Sequence, residues 1–324
     1  MKKKIFFITG GTGSFAKKFI QYLLKKKLAK KIIIFSRDEF KQFIMKENEI
    51  IKKNQSIVRF LIGDIRDKNR LDFAIQSNVD VVIHAAAMKQ IPATEYNPFE
   101  AIKTNIIGAQ NLIEVCIKKN IKKVVALSSD KAAAPINLYG ATKLTSDKLF
   151  TNANYVKGSK RCQLSVVRYG NVMGSRGSVV PIFLKQKKNN EIYTITDKNM
   201  TRFSITLEES VKFVLFSIKM MKGGEIFVPK IPSYRILDLL KAIDSHPRYK
   251  LIGIRPGEKI HEELITESDS INCQEFKSYF VIHPSYKKNY SKINKLFSYN
   301  SKNNKEFLSI INLKKLIQKS LKDF

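Results

Sequence analysis

Short, nearly unbroken runs of β-branched and aromatic residues recur along the first half of the chain, at 4–9, 31–36, 57–63, 79–84, 123–128 and 164–169. Between them lie stretches whose apolar positions return every three or four residues, at 15–25, 99–119 and 139–152. A run that is apolar throughout suits a strand buried on both faces, and the 3.6-residue period is that of covering helices. The pattern predicts an α/β chain with a doubly wound parallel sheet. After Asn171 the texture shortens to loops such as GSRGSVVP, TDKNMTRF and GIRPGEKIHEE. These predict a smaller C-terminal part at 172–204 and 231–290, with a return to the sheet at about 205–230 and a Lys/Asn-rich tail at 291–324.

The first run passes into ITGGTGSFA, a glycine turn that opens the first helical stretch. Gly10 and Gly13 permit close approach of backbone to a pyrophosphate resting on the helix N-terminus, with Thr12, Ser14 and Phe15 in the same loop. Ala16 stands where a third glycine is usual. Residues 1–171 thus read as a Rossmann dinucleotide-binding domain. At the end of the second run, Ser36 and Arg37 suit the 2′-phosphate of NADP, because guanidinium bonds phosphate bidentately. Asp38, one residue on, is the feature that would favour NAD. Asp64 and Ile65 of GDIRD are expected near the adenine. Ala85 and Ala86 of HAAAMKQ are expected beside the cofactor, with Lys89 directed to a substrate cleft. His84 is expected to be structural.

Composition narrows the function only a little. There are 59 Lys and Arg against 28 Asp and Glu, a formal charge of +31. The lysines are scattered and no nucleic-acid-binding motif accompanies them, so specific nucleic-acid recognition is not expected. Cys116, Cys162 and Cys273 are too far apart for a disulfide framework, and no metal-ligand spacing occurs. The apolar run after MKKK is short and enters a glycine turn, which fits a strand better than a signal peptide. No run approaches the roughly 20 apolar residues of a membrane span. A cytoplasmic protein with no membrane association is expected.

The stretch SSDKAAAPINLYGATK carries the candidate chemistry. Tyr139 and Lys143 lie one helical turn apart and so face the same way. A cationic Lys143 is expected to lower the phenol's pKa. With the motifs TGGTGSF, SRDE, GDIRD, HAAAMKQIPATEYNP, KTNIIGAQN, SSDKA, NLYGATK, VRYGNVMGSRGSVVP, MTRF and IRPGEKIHEEL in order, the chain resembles the extended short-chain dehydrogenase/reductases. Within them it resembles the nucleotide-sugar 4,6-dehydratases of capsule and flagellin-glycan synthesis, most closely the inverting group acting on UDP-N-acetylglucosamine in the pseudaminic acid pathway. Ser129 replaces the family's usual threonine, AAAP replaces a more polar turn, and the sequence after Ser285 matches poorly.

The resemblance implies NADP as cofactor, a UDP-sugar substrate and a homo-oligomer, dimer or hexamer. It also implies cofactor contacts from Asn105 and Ser128. Substrate contacts are implied for Lys89, Asn171, Arg176, Ser178, Val179, Thr201, Arg202, Arg255 and Glu258. Tyr139 would take the 4-hydroxyl proton, Lys131 the C5 proton, and Asp130 would protonate the departing 6-hydroxyl, the last two roles being exchangeable. For Lys131 to be a base, a neighbouring cation is expected to depress its pKa. A 4-epimerase or a dehydratase/5-epimerase would use the same cleft. A non-catalytic NADP-binding scaffold would need a damaged set, whereas all four groups are present.

Overall fold

The computed structural model describes residues 3–174, 178–287, 289–293 and 295–321. Six strands, β1 (Lys4–Thr9), β2 (Ala29–Ser36), β3 (Val58–Ile62), β4 (Val81–His84), β5 (Lys123–Ser129) and β6 (Gln163–Tyr169), lie on the six apolar runs. They form one parallel sheet in the order β3-β2-β1-β4-β5-β6, which Ile226–Pro229 continues in parallel beside β6. The order reverses between β1 and β4, which opens a crevice beyond their C-terminal ends. Helix α1 (Ser14–Lys25) covers one face by burying Ala16, Phe19, Ile20, Leu23 and Leu24, the stripe its spacing requires.

The sheet extends further along the chain than its hydrophobic pattern foretells. Tyr279–Ile282 pairs antiparallel with Ile226–Pro229, and Cys273–Glu275 pairs antiparallel with Tyr279–Ile282. Strands of three or four residues leave too few positions for a period to show.

A second apolar cluster lies around helices Val179–Lys188, Ile236–Ile243 and Ile310–Leu321. Leu313 and Ile317 of the last helix are buried in it, so the Lys-rich C-terminal segment contributes a packed helix. A small sheet orders Ser233–Arg235, Thr201–Ile205 and Asn171–Val172 side by side. It carries the chain from the end of β6 towards the loop that precedes Glu263–Ile265. Among the described residues no helix is long and apolar enough to cross a membrane.

Candidate active site

A cleft of about 560 Å³ runs over the C-terminal ends of the sheet. Gly10, Thr12, Gly13, Ser14 and Phe15 line it, at the N-terminus of α1. Gly10 has φ +62°, and a Cβ there would stand 2.7 Å from the Ala86 backbone. The turn is therefore both left-handed and pressed against the loop after β4, leaving room for a ligand backbone only where no side chain stands. Ala85 and Ala86 line the same wall. These residues fit a dinucleotide.

At the far end lie Ser36, Arg37, Asp38 and Lys41. The Asp38 carboxylate caps helix Glu39–Lys46 by accepting from Lys41 N at 2.8 Å, and Lys41 Nζ donates to it at 2.5 Å. Those hydrogen bonds from Lys41 hold Asp38 below its ordinary pKa. Lys41 is thereby paired with Asp38, and Arg37 is the further cation at this end of the cleft. Ile65 lines the cleft, but Asp64 does not. The Asp64 carboxylate accepts from Arg66 Nε at 2.9 Å and Nη2 at 2.7 Å, and stands 3.6 Å from Arg37. Asp64 is thus ion-paired beside the cleft, next to Ile65.

Asn105 stands behind the cleft wall. It lies in a π-helical turn, Lys103–Ile107, and is 2% exposed. Its amide accepts from Met88 N at 2.8 Å and donates to Met88 O at 2.8 Å and Thr142 Oγ1 at 3.0 Å. It fixes the loop that holds Ala86 and Lys89 and does not itself reach the cleft.

The chemical end is built by a single 3₁₀ turn, Asp130–Ala132, and the helix that follows it, Leu138–Val156. Asn137 caps that helix by accepting from Gly140 N at 2.7 Å, which places Tyr139 and Lys143 on its first turns. Asp130, Lys131, Tyr139, Lys143 and Ser128 all line the cleft. Burial pushes the Tyr139 phenol up to about 12, and the charge of Lys131 draws it back. This relocates an expected influence. Lys143 donates to Leu127 O at 2.7 Å, and the cation acting on the phenol is Lys131. Burial lowers Lys143 below its ordinary pKa, opposed by Asp147 one turn further on.

Lys131 itself departs from expectation. Its Nζ is 3.0 Å from Asp130 Oδ1 and 3.1 Å from Glu262 Oε1. Burial works to lower its pKa, but the two carboxylates outweigh burial and raise it. The resting amine is an ammonium. Asp130 is 1% exposed, and burial raises its carboxyl above the usual range against the pull of Lys131. Its Oδ1 accepts from Ser129 Oγ at 2.8 Å, while Oδ2 is buried without a partner among the described residues.

The residues assigned to substrate divide. Lys89, Asn171 and Ser178 line the cleft. Asn171 Oδ1 and Ser178 Oγ are buried there without partners among the described residues. Ser178 stands at the N-cap of Val179–Lys188, and Val179, the first helical residue, does not line the cleft. Thr201 Oγ1 is spent on His261 Nδ1 at 2.8 Å and Ser301 Oγ at 2.7 Å. Arg202 donates to the carbonyls of Thr201, Lys259 and Ile260, clamping a loop from within. Glu258 faces Arg202 at 3.4 Å, and Arg255 is exposed. Arg176 lies outside the described residues. His84 is buried and bonds Thr9 Oγ1 at 2.9 Å, and burial takes it down to about 3, so it is a neutral structural residue.

Sequence reasoning missed Glu262, whose contact with Lys131 spans 131 positions. The loop that carries it also donates Lys259 Nζ to Ala133 O at 2.7 Å and accepts Asn137 Nδ2 at Gly257 O, 2.7 Å. Three contacts thus bind residues 257–262 to the segment from Lys131 to Asn137.

Residues 6–284 match the family described as Polysaccharide biosynthesis protein. A UDP-N-acetylglucosamine 4,6-dehydratase (inverting) of Campylobacter jejuni subsp. jejuni serotype O:23/36 (strain 81-176) is 51% identical, over 94% of this chain and 96% of its own. A UDP-glucose 4-epimerase of Rickettsia conorii (strain ATCC VR-613 / Malish 7) is 41% identical, over 86% and 82% respectively. The X-ray structure of Pen from Bacillus thuringiensis superposes with a TM-score of 0.90 at 40% identity, covering 98% of this chain and 99% of that one.

Proposed function

The chain belongs to the polysaccharide biosynthesis protein family, and from that membership we propose that it is an inverting UDP-N-acetylglucosamine 4,6-dehydratase. In this reading it is an NADP-dependent lyase that makes a 4-keto-6-deoxy sugar nucleotide for surface glycans of the pseudaminic acid type. The carrying observation is the crowding of Asp130, Lys131 and Tyr139 at one end of the cleft. Oxidising an alcohol takes one base. Removing water as well takes a base at C5 and an acid at the 6-hydroxyl.

A bound dinucleotide supplies the acceptor for hydride from C4 and its return to C6. Tyr139, its own proton first passed to solvent, takes the 4-hydroxyl proton as a phenolate, and the resulting ketone acidifies C5–H. One proton passing from Lys131 to Asp130, whose Oδ1 is 3.0 Å from Nζ, turns the resting ion pair into a neutral amine and a carboxylic acid. Lys131 then takes the C5 proton and Asp130 gives its own to the 6-hydroxyl, which leaves as water. The pair is thereby returned to ammonium and carboxylate. Tyr139 then passes the proton it holds to C5 on the opposite face, which completes the inversion and restores the phenolate.

The unpartnered Ser178 hydroxyl, a donor at the N-terminus of Val179–Lys188, supports a diphosphate there. NMR of the product from UDP-N-acetylglucosamine and NADP is expected to show a 4-keto-6-deoxy-L-arabino sugar. The Rickettsia relative's name favours a second reading, 4-epimerisation. A C4 epimer with its 6-hydroxyl intact would establish that reading and overturn the first.

Preference for NADP is supported by Arg37 at the adenosine end. Arg37→Ala is expected to raise KM for NADP about ten- to a hundredfold, the loss of one charge-assisted pair, with little change for NAD. Equal effects on both cofactors would remove Arg37 as the discriminating group. A homo-oligomer is supported by the exposed Tyr96 and Phe99 on neighbouring helices, and a reducing compartment such as the cytoplasm by three free, buried cysteines.

A further inference from the structure

The acid/base cluster does not end at Lys131. Glu262 is 3% exposed, and its Oε1 stands 3.1 Å from Lys131 Nζ. Its Oε2 is buried without a partner among the described residues, as is Asp130 Oδ2. The Glu262 backbone is fixed by donation to Ser301 Oγ at 2.8 Å, a hydroxyl that also meets Thr201. Arg202 Nε lies 3.7 Å from Oε1, from the strand Thr201–Ile205. Lys259 of the same loop acts on Glu262 by charge, and the neutral phenols of Tyr234 and Tyr139 face the cluster.

A buried carboxylate in this place has no need to exist for the fold alone. Arg202 already closes the loop through two of its backbone carbonyls, Lys259 O and Ile260 O. Glu262 adds a second negative charge beside an ammonium that Asp130 already pairs. We propose that Glu262 is a positioning residue of the dehydration step: its carboxylate holds Lys131 against Asp130 and keeps one proton shared between them. This rests on the reading of Asp130 and Lys131 given above.

The consequence has a definite sign. The pair is competent with one proton, whichever member carries it. It is silenced by a second proton in acid and by loss of the first in alkali. A fixed negative charge close by makes both protons harder to remove, and Glu262 acts on Asp130 and on Lys131 in that upward direction. With Glu262 neutral, both limbs of the bell-shaped pH profile of kcat move to lower pH together.

The test is Glu262→Gln, which keeps the shape and loses the charge. Both limbs are expected to fall by about one pH unit or more, with kcat down about tenfold at pH values on the alkaline limb and KM for UDP-N-acetylglucosamine within about twofold of wild type. Glu262→Asp, which keeps the charge, is expected to hold the limbs in place. Limbs that stay put in Glu262→Gln, whatever the drop in kcat, overturn the proposal, because a merely structural carboxylate lowers amplitude without moving midpoints. A second readout needs no substrate: the carboxylic-acid carbonyl band that grows in infrared spectra of the substrate-free enzyme as pH is lowered, assigned by its loss in Asp130→Asn. Its titration midpoint is expected to fall in Glu262→Gln, and an unmoved midpoint overturns the proposal. If the midpoint falls while the wild-type enzyme forms no keto-deoxy sugar, the role of Glu262 in the pair stands and the dehydratase reading fails.

Discussion

Tyr139→Phe is expected to lower turnover by about a thousandfold, within the range for loss of a positioned acid/base group, and to abolish C4 oxidation. The substitution removes one oxygen from a ring that is 8% exposed, so it opens no cavity and should leave the fold intact. What it removes is the group that must accept the 4-hydroxyl proton. Burial keeps that phenol protonated in the resting enzyme, up to about 12, so the cleft must work to deprotonate it. The Lys131 charge and the Ser129 hydroxyl both pull in that direction. A rapid-mixing record of dinucleotide reduction on adding sugar nucleotide checks the step directly. Reduction within about tenfold of the wild-type rate would assign the base elsewhere.

Lys131→Arg is expected to keep C4 oxidation and lose dehydration, by about a hundred- to ten-thousandfold. Alanine is the poorer probe, because it would leave Asp130 and Glu262 buried without their cation, at a cost of about 3–5 kcal/mol. Arginine preserves the charge between the carboxylates and can still assist Tyr139. It cannot give up a proton at any working pH. With C5-deuterated substrate, the variant should reduce dinucleotide while the label stays on C5. Label lost at the wild-type rate would move the C5 base to another group, Asp130 first.

The two experiments separate roles that the chain packs closely. Lys131 must be an ammonium while Tyr139 works and an amine immediately afterwards. An isolated lysine would do only the first. Its contact with Asp130 at 3.0 Å permits both, since a single proton transfer inside the pair switches it.

What the sequence discloses follows from how each group is held. The six parallel strands are legible because burial on both faces leaves continuous apolar runs, as in β1 with Phe6, Phe7 and Ile8 all buried. The edge strands Cys273–Glu275 and Tyr279–Ile282 are too short to leave such a trace. Glycines of the cofactor turn are legible because backbone shape is written into residue type, as at Gly10 with φ +62°. Polar residues are harder. Asn105, Thr201 and Arg202 have the chemistry of ligand contacts, yet their donors and acceptors are occupied by Met88, Ser301 and the 258–262 loop. A sequence does not distinguish a buried polar group satisfied by its own backbone from one left open for a ligand. Glu262 shows the reverse difficulty, since nothing local marks HEEL as facing SSDK.

The grip of residues 257–262 on the segment from Lys131 to Asn137 also bears on the order in which the protein becomes an enzyme during synthesis. The glycine turn, the π-helical turn, Tyr139 and Lys143 have all emerged once β6 is made. Glu262 comes about ninety residues later, and Ser301, which fixes its backbone, later still. At about 5–20 residues per second, an emerging chain holds the dinucleotide wall for several seconds before its Lys131 has a second carboxylate. A chain arrested in that interval would hold the glycine turn, Tyr139 and Lys131 but lack Glu262, the second carboxylate beside Lys131. Ribosome-bound chains halted before and after residue 301 would separate the two stages.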